Sequence, residues 1–137
     1  MSGPITLGYW DIRGLAEPVR YLLHYKGIAF DDKRYLTYDS WQNDKFMLNL
    51  DFPNLPYYID DNVKLTQSTA ILRYLARKHC LDGITEEEKV RAVLAEQQIV
   101  DFRTSMIRTC YNHEFEKIKP EFVLTLEERA RNLDGFR

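Results

Sequence analysis

Tyr9 stands near the end of an apolar run, Ile5 to Trp10, and is followed by a loop holding Arg13 and Gly14. Open α/β sheets bind ligands beyond the carboxyl ends of their strands, and a phenol placed there can donate a hydrogen bond to a thiolate. A hydrogen bond to a charged group is worth about 1.5–3 kcal/mol, and one pKa unit corresponds to about 1.4 kcal/mol. Such a bond would bring a thiol down from about 8.5 by one to two units and leave much of it ionised near neutral pH. Trp41 and Lys45, four residues apart, share one helix face and can offer an indole N–H and an ammonium to a carboxylate. The stretch FPNLPYYIDDNVKLTQSTAI, from Phe52 to Ile71, places Asn54, Leu55 and Pro56 ahead of two short strands and ends on Gln67-Ser68 at a helix start. A strand entered through proline can pair its backbone with an extended ligand, and a helix N-terminus can receive an anionic end. Together these residues suit a small peptide-like molecule beside a group able to stabilise a sulfur anion.

Taken singly, each residue has a plainer reading, which takes precedence for Tyr9 and Lys45. Tyr9 reads as a core tyrosine with its hydroxyl satisfied at the surface, and Lys45 as a solvated lysine on an amphipathic face. Ser68 reads as the N-cap of its helix and Gln67 as a strand-end residue, readings compatible with a ligand role. Gln97 and Asp101 lie off the apolar stripe of their helix, facing either solvent or a partner subunit. A cis Pro56 would turn the Leu55 backbone outward as a donor and acceptor, but only about 5–6% of X-Pro bonds are cis, so the sequence by itself gives trans. The only cysteines, Cys80 and Cys110, have no CxxC spacing and read as small, partly buried apolar residues. Neither a metal site nor a disulfide framework is indicated.

The elements that must position these residues follow from periodicity. Ile5–Trp10 reads as a buried strand; Leu15, Val19, Leu22 and Leu23 mark a helix with Pro18 in its first turn and Gly27 at its close; residues 29–36 read as a second strand. This is a βαβ unit with a right-handed crossover. Ser40 is expected to cap a short helix through Trp41, Lys45 and Leu48. Residues 56–60 and 63–66 form a hairpin around Asp61-Asn62, types that tolerate positive φ. Ile71, Leu72, Leu75 and Ala76 stripe the next helix. The order βαβ-α-ββα is that of a thioredoxin-like α/β domain, assigned to residues 1–79, with a linker at 80–84. Thr85-Glu86-Glu87-Glu88 is a capping box opening an all-α segment, 85–137, whose first helix is striped by Ala92, Ala95, Ile99, Phe102, Met106 and Cys110. A break at Asn112-His113 precedes a second stripe, Phe115, Ile118, Phe122 and Leu126.

At 137 residues with 45% hydrophobic content, the chain can bury a core. Its net charge of −2 comes from interspersed charges without a basic stripe, which argues against nucleic acid. No apolar run reaches the roughly 20 residues of a membrane span, and no signal-peptide pattern opens the chain, so a cytoplasmic protein is expected.

The stretches LGYWDIRGLAEPVRYLL, WQNDKF, FPNLPYYIDDNVKLTQSTAILRYLARKH and TEEEKVRAVLAEQQIVDFR, with a weaker match through CYNHEFEKIKP, closely resemble the cytosolic glutathione transferases, the mu class most of all. The resemblance runs to about Phe122 and reverses the plain readings of Tyr9, Trp41 and Pro56. It implies a transferase that conjugates glutathione, as substrate and without a cofactor, to hydrophobic electrophiles. Tyr9 would donate to the thiolate. Trp41, Lys45 and Asn54 would hold the glycyl carboxylate, and Leu55, ahead of a cis Pro56, would pair its backbone with the cysteinyl residue. Trp10, Gln67 and Ser68 would bind the γ-glutamyl end, with Asp101 of the other subunit near its amino group. Tyr111 would line the electrophile pocket, and Phe52 and Arg73 would make contacts in a homodimer.

Two departures qualify the resemblance. The loop at residues 36–40 is shorter than the family's, with Tyr38 where many members carry an arginine. The all-α segment stops at Arg137, where the family continues through further apolar helices, so the second domain is expected to be truncated. Val90, Val93 and Leu94 would then face water at about 1.5–3 kcal/mol per side chain, leaving a weakly stable tail unless dimerisation covers it. A non-catalytic glutathione-binding or dimer-modulating form is the alternative function, and a gene product without independent function a third.

Overall fold

In the computed structural model, which describes residues 4–135, strand β1 (Thr6–Trp10) lies inside a four-stranded sheet of order β2-β1-β3-β4. Residues 1–3 and 136–137 of the two expected domains lie outside the described residues. β2 (Asp31–Tyr35) runs parallel to β1, with Thr6 opposite Asp31 and Trp10 opposite Tyr35. β3 (Tyr57–Ile59) runs antiparallel to β1, with Gly8 opposite Tyr57, and β4 (Lys64–Thr66) runs antiparallel to β3. This mixed sheet, followed by helices, is the thioredoxin-like arrangement expected.

Because side chains alternate along a strand, the register sorts them onto two faces. Leu7, Tyr9, Asp32, Tyr58 and Leu65 share one face; Gly8, Lys33, Tyr35 and Tyr57 share the other. Helices α1 (Glu17–Tyr25) and α3 (Ser68–Lys78) pack together, and Val19, Leu23, Ile71 and Leu75 are fully buried with Leu7 and Tyr58 in the core. Helix α2 (Tyr38–Lys45) lies against β2, its Trp41 buried with Tyr35 and Tyr57. Pro18 sits in the first turn of α1, where its missing N–H costs nothing, and Gly27 follows the helix at φ +64°.

Three local expectations are corrected. Thr37, not Ser40, is the N-cap of α2. The Thr37 side chain accepts the Ser40 N–H at 3.2 Å, and Ser40 completes the capping box from the third helical position. Ser68 is the first residue of α3 rather than its cap; Gln67 holds the cap position at φ 70°, ψ 105° with no side-chain cap bond. The hairpin turn does not use positive φ at Asp61-Asn62. Asp60 makes it instead, its Oδ1 accepting the N–H groups of Asn62 at 2.8 Å and Val63 at 2.9 Å, a local side-chain bond that does the work of a backbone turn.

The chain divides into two compact units, Met1–Leu81 and Asp82–Arg137. In the second, Thr85 and Glu88 form the expected capping box of α4 (Glu86–Cys110), and Glu88 also accepts the Ile84 N–H. α5 (Phe115–Asp134) packs on α4. The stripe expected to be buried on α4 stays largely open: Ile99 is 54% and Met106 40% exposed, with Val90, Val93 and Leu94 also exposed. One helix laid on α4 covers one side, while its apolar residues lie on several.

Asp60 ties the hairpin to α3. Its side chain is almost fully buried, and Oδ2 accepts from Tyr58 and Tyr74, each at 3.0 Å, and from Lys78 at 2.6 Å. Burial alone would push this carboxyl up; Lys78, the two backbone N–H groups and Tyr58 override it and hold the carboxyl well below the usual carboxylate range. A depressed folded-state pKa contributes stability that is complete above the unfolded value near 3.9 and fades as pH falls below it. Asp60→Ala, which strands Lys78 and two hydroxyls, is expected to lower stability at pH 7 by about 3 kcal/mol. Asp60→Asn is expected to flatten the wild-type loss of stability between about pH 5 and pH 2; urea unfolding across that range checks both.

Candidate functional site

The sheet register brings the candidate residues to one end. β1 and β4 finish there and β3 begins there, so Tyr9-Trp10, Leu55-Pro56 and Gln67-Ser68 share that end. β2 also finishes there, at Tyr35, and leads into α2 with Trp41 and Lys45.

Tyr9 is only 6% exposed, and its Oη accepts the Leu15 N–H at 3.3 Å. A phenol oxygen that accepts an N–H keeps its own proton for donation. The close turn needs Gly14, at φ +45°: a Cβ there would lie 2.6 Å from the Tyr9 ring and 2.7 Å from its hydroxyl. Further bonds fix the loop, from Ile12 N–H to the Trp10 carbonyl at 2.7 Å and from Glu17 N–H to the Arg13 carbonyl at 3.1 Å.

Trp41, 4% exposed, stacks on Tyr57 with centroids 6.2 Å apart and meets Tyr35 edge-on at 5.4 Å. Half-buried Lys45 sets its Nζ 5.3 Å from the centroid of Phe46. Asp44, unmarked by the sequence reading, fixes α2 to the sheet through the Tyr35 hydroxyl at 2.8 Å and an ion pair with Lys33. The Tyr35 and Tyr57 hydroxyls lie 3.0 Å apart. Lys33 and then Tyr35 lower the Asp44 carboxyl, and burial raises both phenols, so Tyr35 stays protonated and donates. A Lys and an Asp eleven residues apart carry no pairing signal until the strand-helix geometry is known.

The Leu55–Pro56 peptide is cis, as the resemblance implied and against the expectation from frequency. The Leu55 N–H donates to the Asn54 Oδ1 at 2.9 Å, so the donor assigned to an extended ligand is held by its neighbour's side chain. Gln67 is exposed in its positive-φ conformation, an uncommon backbone state for a non-glycine residue. Ser68 opens α3, where N–H groups without helical partners can receive an anion.

Phe52 is 73% exposed. Arg73 lines an open groove of about 510 Å³ with Leu65, Gln67 and Tyr74. Asp101 and Tyr111 belong to the second unit: Asp101 is exposed on α4 beside Ser105 and Arg108, and Tyr111, at the C-cap, is 88% exposed.

A mixed four-stranded sheet with a tyrosine at the end of β1 and a cis-proline entry to β3 defines a thioredoxin-like class of domain. The family model "Glutathione S-transferase, N-terminal domain" matches residues 5–77, and the chain belongs to the glutathione S-transferase family. It is 54% identical to glutathione S-transferase Mu 1 of Mus musculus over 140 aligned residues, covering 97% of this chain and 64% of the mouse protein. It is 50% identical to a glutathione S-transferase of Tyrophagus putrescentiae, covering 99% of this chain and 65% of that protein. The crystal structure of the glutathione S-transferase Blo t 8 superposes with a TM-score of 0.86 at 39% identity, over 96% of this chain and 63% of that one. The chain thus spans slightly less than two thirds of the length of these relatives.

Removing the Asp44 carboxylate should free α2 without disturbing the sheet. Asp44→Ala is expected to speed amide exchange in Tyr38–Lys45 by about tenfold or more while β1 and β3 amides stay protected, as site-resolved hydrogen exchange would show.

Proposed function

We propose that this chain binds reduced glutathione at the shared sheet end and conjugates its sulfur to electrophilic small molecules. The observation that carries this reading is the Tyr9 hydroxyl, oriented by the Leu15 N–H at the end of β1 with its own proton left to donate. Tyr9 donates to the sulfur and favours the thiolate; the thiol proton passes to solvent. The thiolate attacks an electrophilic carbon, a carbon–sulfur bond forms, and the leaving group departs with the bonding electrons.

The other roles rest on the family resemblance. Trp41, Lys45 and Asn54 hold the glycyl carboxylate. The Leu55 backbone, ahead of Pro56, pairs with the cysteinyl residue, which requires the ligand to replace Asn54 Oδ1 at the Leu55 N–H. Trp10, Gln67 and Ser68 take the γ-glutamyl end, its α-carboxylate facing the N-terminus of α3. Asp101 from a partner subunit meets the amino group, Tyr111 lines the electrophile pocket, and Phe52 and Arg73 serve a homodimer. In this reading residues 1–79 form the glutathione-binding domain, 80–84 the linker and 85–137 a partial helical domain. Glutathione is a substrate, so no separate cofactor takes part, and the place of action is the cytoplasm; no helix among the described residues is long and apolar enough to cross a membrane.

Tyr9→Phe tests this directly. Turnover of a chlorodinitrobenzene-type substrate near pH 7 is expected to fall by about tenfold or more, since one to two pKa units of thiol activation are lost. Retention on immobilised glutathione should persist. Equal rates for the two proteins would remove Tyr9 from the chemistry, and retention without turnover in the wild type would leave a binding protein instead.

A further inference from the structure

We propose that Arg20 is a positioning residue for Tyr9, acting through the β1–α1 loop; the inference rests on the glutathione reading only for its consequence at the sulfur. Arg20 is 4% exposed, on α1, the helix that follows the loop. Its Nε donates to both oxygens of Asp32 on β2, at 3.0 and 3.2 Å. Its Nη1 reaches the carbonyls of Ile12 at 3.1 Å and Arg13 at 3.2 Å, and Glu17 Oε2 at 2.9 Å. One buried guanidinium thus links a strand, a helix and two successive loop carbonyls. Gly14 and Leu15 come next in the chain; the first packs on the Tyr9 ring and the second donates to its hydroxyl.

The Leu15 bond is long, at 3.3 Å, so small loop movements would change it steeply. If Arg20 served only to attach α1 to the sheet, the Asp32 contact would suffice. The turn of Nη1 onto the Ile12 and Arg13 carbonyls is what couples it to Tyr9. A lysine has one nitrogen and cannot reach Asp32 and both carbonyls from a fixed fork. Arg20→Lys would therefore keep the charge and lose the clamp.

The test compares Arg20→Lys with Val19→Ala, a core truncation on the same helix with no bond to the loop, both in the full chain. Without ligand, Arg20→Lys is expected to exchange the Leu15 amide about tenfold faster than wild type once global stability is accounted for, and Val19→Ala to leave it unchanged. With glutathione bound, the ultraviolet absorbance of the thiolate is expected to titrate about half a unit or more higher in Arg20→Lys only. If Arg20→Lys fails to fold, Asp32→Asn, which loosens the same guanidinium, should raise Leu15 exchange by about threefold. Unchanged Leu15 exchange in the folded Arg20 or Asp32 variant, or an equal effect of Val19→Ala, overturns the proposal. Absence of any thiolate signal in wild type removes the glutathione reading, while Leu15 exchange still decides whether Arg20 holds the loop.

Discussion

The close approach of Tyr57 to Gly8 is the contact on which the rest of the first unit depends. A Cβ at Gly8 would lie 2.1 Å from the Tyr57 ring, so only glycine lets that ring lie over β1. The same register sets Tyr57 opposite Gly8, one residue before Tyr9, and brings Leu55-Pro56 to the end of the sheet where Tyr9 stands. Trp41 stacks on the Tyr57 ring, so α2 takes its place from the same ring. Packing at one small residue thereby aligns three segments that are far apart in sequence. Interiors packed at crystal-like density leave little freedom for such a ring to move.

Around that contact, two carboxylates fix what packing alone leaves loose. Asp60 binds the hairpin turn to the C-terminal part of α3, at the end of the sheet opposite Gln67. Asp44 binds α2 to β2 through Tyr35 and Lys33. Both depend on partners supplied by other elements. The glutathione transferase family to which the chain belongs is recognised over the thioredoxin-like part, residues 5–77. In the second unit, a single packed helix leaves apolar residues of α4 exposed on several sides.

Much of this arrangement was legible in the sequence, because the signals were periodic or local. Helical stripes marked α1, α3, α4 and α5, the apolar run at Ile5–Trp10 marked β1, Thr85-Glu88 marked a capping box, and Gly27 marked a helix end. The polar details were less legible. Thr37 rather than Ser40 caps α2; both bond locally, so only geometry separates them. Asp60 made the turn that Asp61-Asn62 were expected to make, because one buried side chain can accept from two backbone groups. The cis bond at Pro56 came from resemblance alone, and the Asn54 bond to Leu55 from neither source. Contacts such as Asp44 with Lys33, or Arg20 with Ile12 and Arg13, join residues whose nearness follows from the fold rather than from spacing.

The central claim is that the end of β1 stabilises a glutathione thiolate. The most direct measurement is the pH titration of the thiolate absorbance of glutathione bound to the wild-type chain, with no electrophile present. The account predicts a midpoint about one to two units below the 8.5 of an ordinary thiol. A midpoint equal to that of free glutathione, with the ligand shown to be bound, would contradict it.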